Sequence, residues 1–150
     1  WSSDVCSSDL YGGVGLFSAV AIDKMGAGGR IDLIESSIPA TESARENFKA
    51  HQNVKIIRDD VAKALRNIKR ADVVVLDPPR AGAGAEVVDQ LLRINPSRIV
   101  YVACDPATLA RDVKQFTESG WRLVQIDGYD LFPMTQHIES ICLLEPNKVS

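Results

Sequence analysis

The sequence predicts an α/β fold, a doubly wound and mostly parallel sheet whose last strand runs antiparallel. Three observations carry this. Short apolar, β-branched runs alternate with helical segments along the 150 residues, the order that builds βαβ units and a parallel sheet. A glycine turn, Tyr11-Gly12-Gly13-Val14-Gly15, stands between the first strand position and a helix, where open α/β sheets bring a ligand close to the backbone. The last two apolar runs have no helix between them, so they form a hairpin-like pair.

Composition sets the outer limits. With 45% apolar and 25% charged residues, the chain is expected to be one soluble globular domain. No apolar run approaches a membrane span, and no charged-then-apolar leader resembles a signal peptide. Three cysteines, Cys6, Cys104 and Cys142, are odd in number and have no CxxC spacing. That argues against a disulfide framework or a metal site and fits the reducing cytoplasm, with no metal expected. The formal net charge of −3 supplies little attraction for nucleic-acid phosphate. A monomer is expected.

In chain order, Trp1 to Asp9 (WSSDVCSSD) contains a near-repeat of Ser-Ser-Asp. It is a polar, serine-rich run and a poor first strand, so residues 1–9 are expected to be a non-native leader, the alternative being an unusual native edge of the fold. The domain is placed at 10–150, with the first strand truncated or replaced. Leu16 opens a helix over 16–22. The glycines at 26–29 end it and lead into a strand over 31–35 that closes on Glu35. Pro39 starts a helix to about residue 50, with Ala40, Ala44 and Phe48 on one face. A strand over 54–58 is followed by Asp59-Asp60, which cap a helix over 61–68. The run 72–77 is the clearest buried strand. It ends in Asp77-Pro78-Pro79-Arg80, where two prolines force the chain out of the sheet. A helix over 86–94 stops near Pro96. The strand over 99–102 leads through Cys104, Asp105 and Pro106 into a helix to about Gly120, and strands over 121–127 and 137–145 complete the chain.

Several residues then stand at strand ends, where chemistry collects in such folds. Cys104 lies between a parallel strand and a helix N-terminus, which favours the thiolate; the plainer alternative is a small buried hydrophobe. Glu35 lies twenty residues beyond Gly15, a spacing suited to accepting hydrogen bonds from ribose hydroxyls. A solvated strand-end carboxylate is the alternative. Asp60 reads as a plain helix cap. Glycines at 13 and 15 permit a tight turn and close backbone approach to a ligand.

The segment Tyr101-Val102-Ala103-Cys104-Asp105-Pro106-Ala107-Thr108-Leu109-Ala110-Arg111-Asp112 resembles the nucleophile signature of the uracil-C5 RNA methyltransferases, which make 5-methyluridine in transfer and ribosomal RNA. Ala103 stands where serine is usual and Asp105 where asparagine is usual; an acid beside a thiol should raise the thiol's pKa. Three further stretches agree in order. Asp9-Leu10-Tyr11-Gly12-Gly13-Val14-Gly15-Leu16-Phe17 resembles the methionine-pocket loop of class I S-adenosylmethionine methyltransferases. Asp77-Pro78-Pro79-Arg80-Ala81-Gly82 resembles the DPPRxG of the uracil-C5 family. The run from Asp130 to Glu139 resembles its DxFPxTxHxE element, matched at Asp130, Phe132, Pro133, Thr135, His137 and Glu139.

The resemblance implies a Rossmann-like class I methyltransferase fold, S-adenosyl-L-methionine as cofactor, and transfer or ribosomal RNA as substrate and partner. It implies Cys104 as the nucleophile that adds to carbon 6 of uracil and Glu139 as the base that removes the carbon 5 proton. Tyr11, Gly13, Gly15, Leu16, Glu35, Asp60 and Asp77 would bind the cofactor. Arg80 would face the uracil, and Phe132 would stack on it or serve the core. It also implies RNA-binding regions N-terminal to this catalytic part, none of which is present in the chain. The alternatives are a methyltransferase for another nucleic-acid position, an inactive nucleotide-binding fragment, and a nicotinamide oxidoreductase. The last gives Cys104 and Glu139 no role. A two-cysteine cytosine mechanism is disfavoured because Asp77-Pro78-Pro79 carries no cysteine.

Overall fold

A computed structural model describes residues 5–26, 28–131, 133–135 and 138–147. Its strands are β1 (Cys6–Leu10), β2 (Arg30–Glu35), β3 (Val54–Arg58), β4 (Val73–Leu76), β5 (Arg98–Ala103), β6 (Trp121–Tyr129) and β7 (Glu139–Pro146). Its helices are α1 (Leu16–Ile22), α2 (Ile38–Asn47), α3 (Val61–Leu65), α4 (Ala85–Ile94) and α5 (Pro106–Glu118). The strands form one sheet in the order β3-β2-β1-β4-β5-β7-β6. The pairs among β1 to β5 are parallel, whereas β7 runs antiparallel to both β5 and β6.

Local sequence accounts for the helix ends. Ser37 caps α2 by accepting from the Ala40 amide, with Pro39 in the first turn. The Asp105 carboxylate caps α5 by accepting from Ala107 and Thr108 N–H at 2.9 and 3.0 Å, ahead of Pro106. Asn95 adopts a left-handed conformation, φ 51°, and ends α4 just before Pro96.

The main core lies on one face of the sheet. Leu65, Val88, Leu91, Leu109 and Phe116, from α3, α4 and α5, pack on Leu10, Ile34, Val74, Leu76, Ile99 and Tyr101. On the other face, Ala44 and Phe48 close over Leu33. Beside α1, Val73, Val75, Val100 and Leu143 line an apolar trough of about 550 Å³ with Phe17 and Val20. The strand expected to be the most completely buried is therefore buried on one face only. In β4, Val74 and Leu76 are covered while Val73 and Val75 are half-buried, because no helix of the described residues lies over them.

The polar run expected to make a poor strand supplies the middle of the sheet. Cys6 to Leu10 pair with β2 on one side and β4 on the other, and all five residues are buried. Ladder hydrogen bonds come from backbone groups, which serine and aspartate possess like any residue. The polarity shows instead in the side chains: the Ser7 and Ser8 hydroxyls and one Asp9 oxygen are buried with no hydrogen-bond partner among the described residues.

Candidate active site

Strands β1, β2, β4 and β5 all point their carboxyl ends to one edge of the sheet, and antiparallel β7 begins there. The β5–β7 register pairs Tyr101 with Cys142, Val102 with Ile141 and Ala103 with Ser140. Cys104 follows β5 and Glu139 opens β7, so two residues 35 apart in sequence lie at the same sheet edge, both half-buried. Cys104 differs from the other cysteines in this respect. Cys6 and Cys142 are buried, and burial pushes the Cys142 thiol up to about 11.

Asp77 follows β4 at the same edge, its amide bonded to the Leu10 carbonyl at 3.2 Å. Desolvation by the surrounding chain, then the negative charges of Glu139 and Asp9, hold its carboxyl above the usual aspartate range. The side chain nevertheless keeps contact with solvent. Asp77 therefore lies within electrostatic reach of Glu139 at this edge. Arg80 is exposed on the following loop, and its carbonyl accepts from the Thr108 hydroxyl at 3.1 Å. Phe132 and His137 lie outside the described residues.

The glycine turn and Glu35 come together directly. The Gly13 amide donates to Glu35 Oε2 at 3.0 Å, and Ser37 N–H donates to Oε1 at 2.7 Å. Gly13 has φ +55° and open space where a side chain would stand, so a ligand could approach its backbone there. Gly15 serves a different end. At φ +97°, a Cβ would fall 2.2 Å from the Phe48 ring, so the close approach at this glycine is to the protein's own core. Leu16 is 67% exposed beside the turn.

Two other predicted residues have structural duties. Asp60 Oδ1 accepts from Lys63 N–H at 3.0 Å and caps α3, leaving Oδ2 as the oxygen available to a ligand. Tyr11 holds φ 59° and packs its ring on the main core. Burial and the charges of Asp60 and Asp112 push its hydroxyl up to about 12. The acid beside Cys104, Asp105, directs its carboxylate at the α5 amides, a task asparagine performs equally well.

Sequence reasoning assigned no role to Asp9, which lay within the supposed leader. Its Oδ2 accepts from Ser18 N–H and Oγ at 3.0 and 2.6 Å, tying α1 to the end of β1; desolvation pushes its pKa up. It also missed Asp112, 1% exposed in α5 and bonded to the Tyr101 hydroxyl at 2.7 Å. An acid three residues beyond Leu109 and four before Phe116, on the apolar face of the helix that follows Cys104, was the available signal. Among the described residues no group of His, Cys, Asp and Glu is arranged to hold a metal ion, and no helix is long and apolar enough to cross a membrane.

Comparison with known proteins bears on this edge. The family model for tRNA (uracil-5-)-methyltransferase matches residues 8–147. An uncharacterized RNA methyltransferase of Streptomyces avermitilis is 46% identical over 140 residues, covering 92% of this chain and 32% of that protein. One from Thermotoga maritima is 41% identical over 139 residues, covering 91% and 31%. The chain thus spans about a third of the length of the curated relatives it matches. The crystal structure of Pyrococcus abyssi tRNA (uracil-54, C5)-methyltransferase in complex with S-adenosyl-L-homocysteine superposes with a TM-score of 0.79 at 34% identity, over 92% of this chain and 33% of that one. Aeropyrum pernix fibrillarin, with natively bound S-adenosyl-L-methionine, shares the fold at a TM-score of 0.76 and 16% identity, over 94% of this chain and 66% of that one.

Proposed function

The chain belongs to the tRNA (uracil-5-)-methyltransferase family, and we propose that its sheet edge methylates carbon 5 of uracil in transfer or ribosomal RNA through a covalent bond to Cys104. The observation that supports this is the β5–β7 register, which brings the Cys104 and Glu139 ends of those strands to one sheet edge, with Asp77 close enough to feel the Glu139 charge. A nucleophile and a base are what the reaction requires. Carbon 5 of uracil is a weak nucleophile, and its proton is too weakly acidic to remove directly.

S-adenosyl-L-methionine fits the residues at the glycine turn. Glu35 offers carboxylate oxygens at the end of β2, and Gly13 leaves its backbone open beside them. Asp60 Oδ2 would meet the adenine amino group. Tyr11, Gly15 and Leu16 would shape the loop, and Asp77 would hold cofactor and base at the edge. When bound, the cofactor supplies an electrophilic methyl group that carbon 5 takes.

The chain's own groups perform the remaining steps. The Cys104 thiolate forms a bond to carbon 6, and the ring electrons shift so that carbon 5 becomes nucleophilic. Arg80 balances the negative charge that builds on the uracil carbonyl. After carbon 5 is methylated, Glu139 removes its proton. The electron pair of that C–H bond restores the ring double bond, and the carbon 6–sulfur bond breaks to release Cys104. Phe132 would stack on a base presented single-stranded or flipped from its stack.

The test is adduct trapping in excess 5-fluorouridine RNA with S-adenosyl-L-methionine, since fluorine cannot leave as a proton does. Mass spectrometry is expected to find the RNA on Cys104 and to lose it in Cys104→Ala but not in Cys142→Ala. With ordinary uridine, Glu139→Gln should accumulate a methylated adduct. An adduct on Cys142, or one that survives Cys104→Ala, overturns the assignment.

A further inference from the structure

The mechanism uses Cys104 and Arg80 but leaves Tyr101, Thr108, Arg111 and Asp112 without a part. All four point their polar atoms at the same short loop. Thr108 Oγ1 donates to the Arg80 carbonyl at 3.1 Å, and Arg111 Nη2 donates to the Ala81 carbonyl at 2.9 Å. Ala83 N–H donates to Asp112 Oδ2 at 2.8 Å and to the Tyr101 hydroxyl at 2.9 Å, and Gly84 N–H reaches Asp112 Oδ2 at 3.3 Å. The Tyr101 hydroxyl completes Oδ2, and Arg111 Nε and Nη2 occupy Oδ1 at 2.9 and 2.8 Å. Asp112 is 1% exposed, and a buried carboxylate is tolerated only when so fully bonded.

A second observation agrees. Gly82 sits at φ +81°, where a Cβ would fall 2.5 Å from Arg111 Nη2 and 2.7 Å from Asp112 Oδ2. The loop therefore lies directly on the first two turns of α5, closer than a side chain would permit. The contacts fall on backbone groups of residues 80–84, and the Arg80 side chain remains exposed beyond them. Cys104 sits at the start of the same helix, one residue before its capping Asp105.

We propose that Asp112, with Tyr101, Thr108 and Arg111, is a positioning device that locks the Arg80-bearing loop to the β5–α5 junction carrying Cys104. Nucleophile and guanidinium then move as one rigid body relative to the incoming uracil. Asp112 touches no reacting atom; it acts through Arg80. The role in uracil addition rests on the function proposed above, but the clamp itself does not.

Two measurements test it, each in Asp112→Asn and in the milder Tyr101→Phe, so that a folding defect in one leaves the other informative. The first is hydrogen–deuterium exchange on this chain without RNA. Exchange at residues 81–84 should rise about tenfold or more, while the glycine turn at 12–15 is unchanged. No change at 81–84, or an equal rise at both loops, overturns the clamp whatever the enzyme does. The second is the first-order rate of Cys104 addition to 5-fluorouridine RNA at saturating RNA. Each variant should lower it about tenfold in the presence of Arg80, and less than about twofold in an Arg80→Ala background. An equal loss in both backgrounds means the residues are merely structural and overturns positioning through Arg80. A wild-type chain that adds to no uracil refutes the functional reading instead, and the exchange measurement alone then decides the clamp.

Discussion

Asp77 shows how a single residue can work against stability. Its carboxyl is held above the usual range first by desolvation and then by Glu139 and Asp9, so the folded state binds its proton more tightly than the unfolded state does. A raised carboxylate contributes stability at low pH that is lost as pH rises from the unfolded value through the folded one. At neutral pH the ionised Asp77 is therefore a net cost. Asp77→Asn should raise the melting temperature at pH 7, and the gain should disappear below about pH 3.8, the ordinary aspartate value. Thermal unfolding of both proteins across that range checks this; a difference that persists unchanged to pH 3 would refute the electrostatic cause. Uracil addition should fall in the same variant.

At the scale of elements, β1 and α5 stand at opposite ends of local agreement. α5 has a capping acid, a proline in its first turn and a buried face of Leu109, Asp112 and Phe116, so propensity, capping and packing concur. β1 has the central position in the sheet and a sequence that does not suit it. Ser8 lies between Asp32 of β2 and Val74 of β4, 1% exposed, with its hydroxyl unbonded among the described residues. Ser8→Ala removes that hydroxyl without adding volume and should stabilise the fold by about 1 kcal/mol, the usual penalty for a buried polar group left unpaired. Urea denaturation with an unchanged m-value would bear this out. A destabilised Ser8→Ala would mean that the hydroxyl is satisfied in solution.

At the scale of the whole molecule, charge sets a limit on RNA binding. Seventeen basic residues face twenty acidic ones, and several of the basic groups are engaged: Arg98 and Arg122 pair with Glu145, Arg70 with Asp72 and Arg66 with Glu86. Affinity for RNA depends on phosphates neutralised, each adding to the slope of log affinity against log salt. This chain should therefore bind RNA weakly and with a shallow slope. The full-length Streptomyces avermitilis relative, about three times longer by the 32% coverage, should bind more tightly and with a steeper one. Filter binding across a salt series compares the two; equal affinities and slopes would refute the idea.

The sequence by itself determined the alternation of strands and helices, because hydrophobic period and capping residues act locally. It also placed Cys104, Asp77 and Glu35 at strand ends, since chain departure from a sheet is signalled by proline, glycine and charge at fixed offsets. It underrated β1, because side-chain polarity was weighed where backbone pairing with two neighbours decides the outcome. It did not reveal that Phe48, 33 residues from Gly15, fills the space where a side chain at that glycine would stand. Only the tertiary structure decided that Glu139 and Cys104 share one sheet edge, that Asp77 feels the Glu139 charge, and that Asp112 ties the Arg80 loop to α5. These are contacts between segments distant in the chain. Strand order and register, set by packing on a shared core, create them, and no local period encodes them.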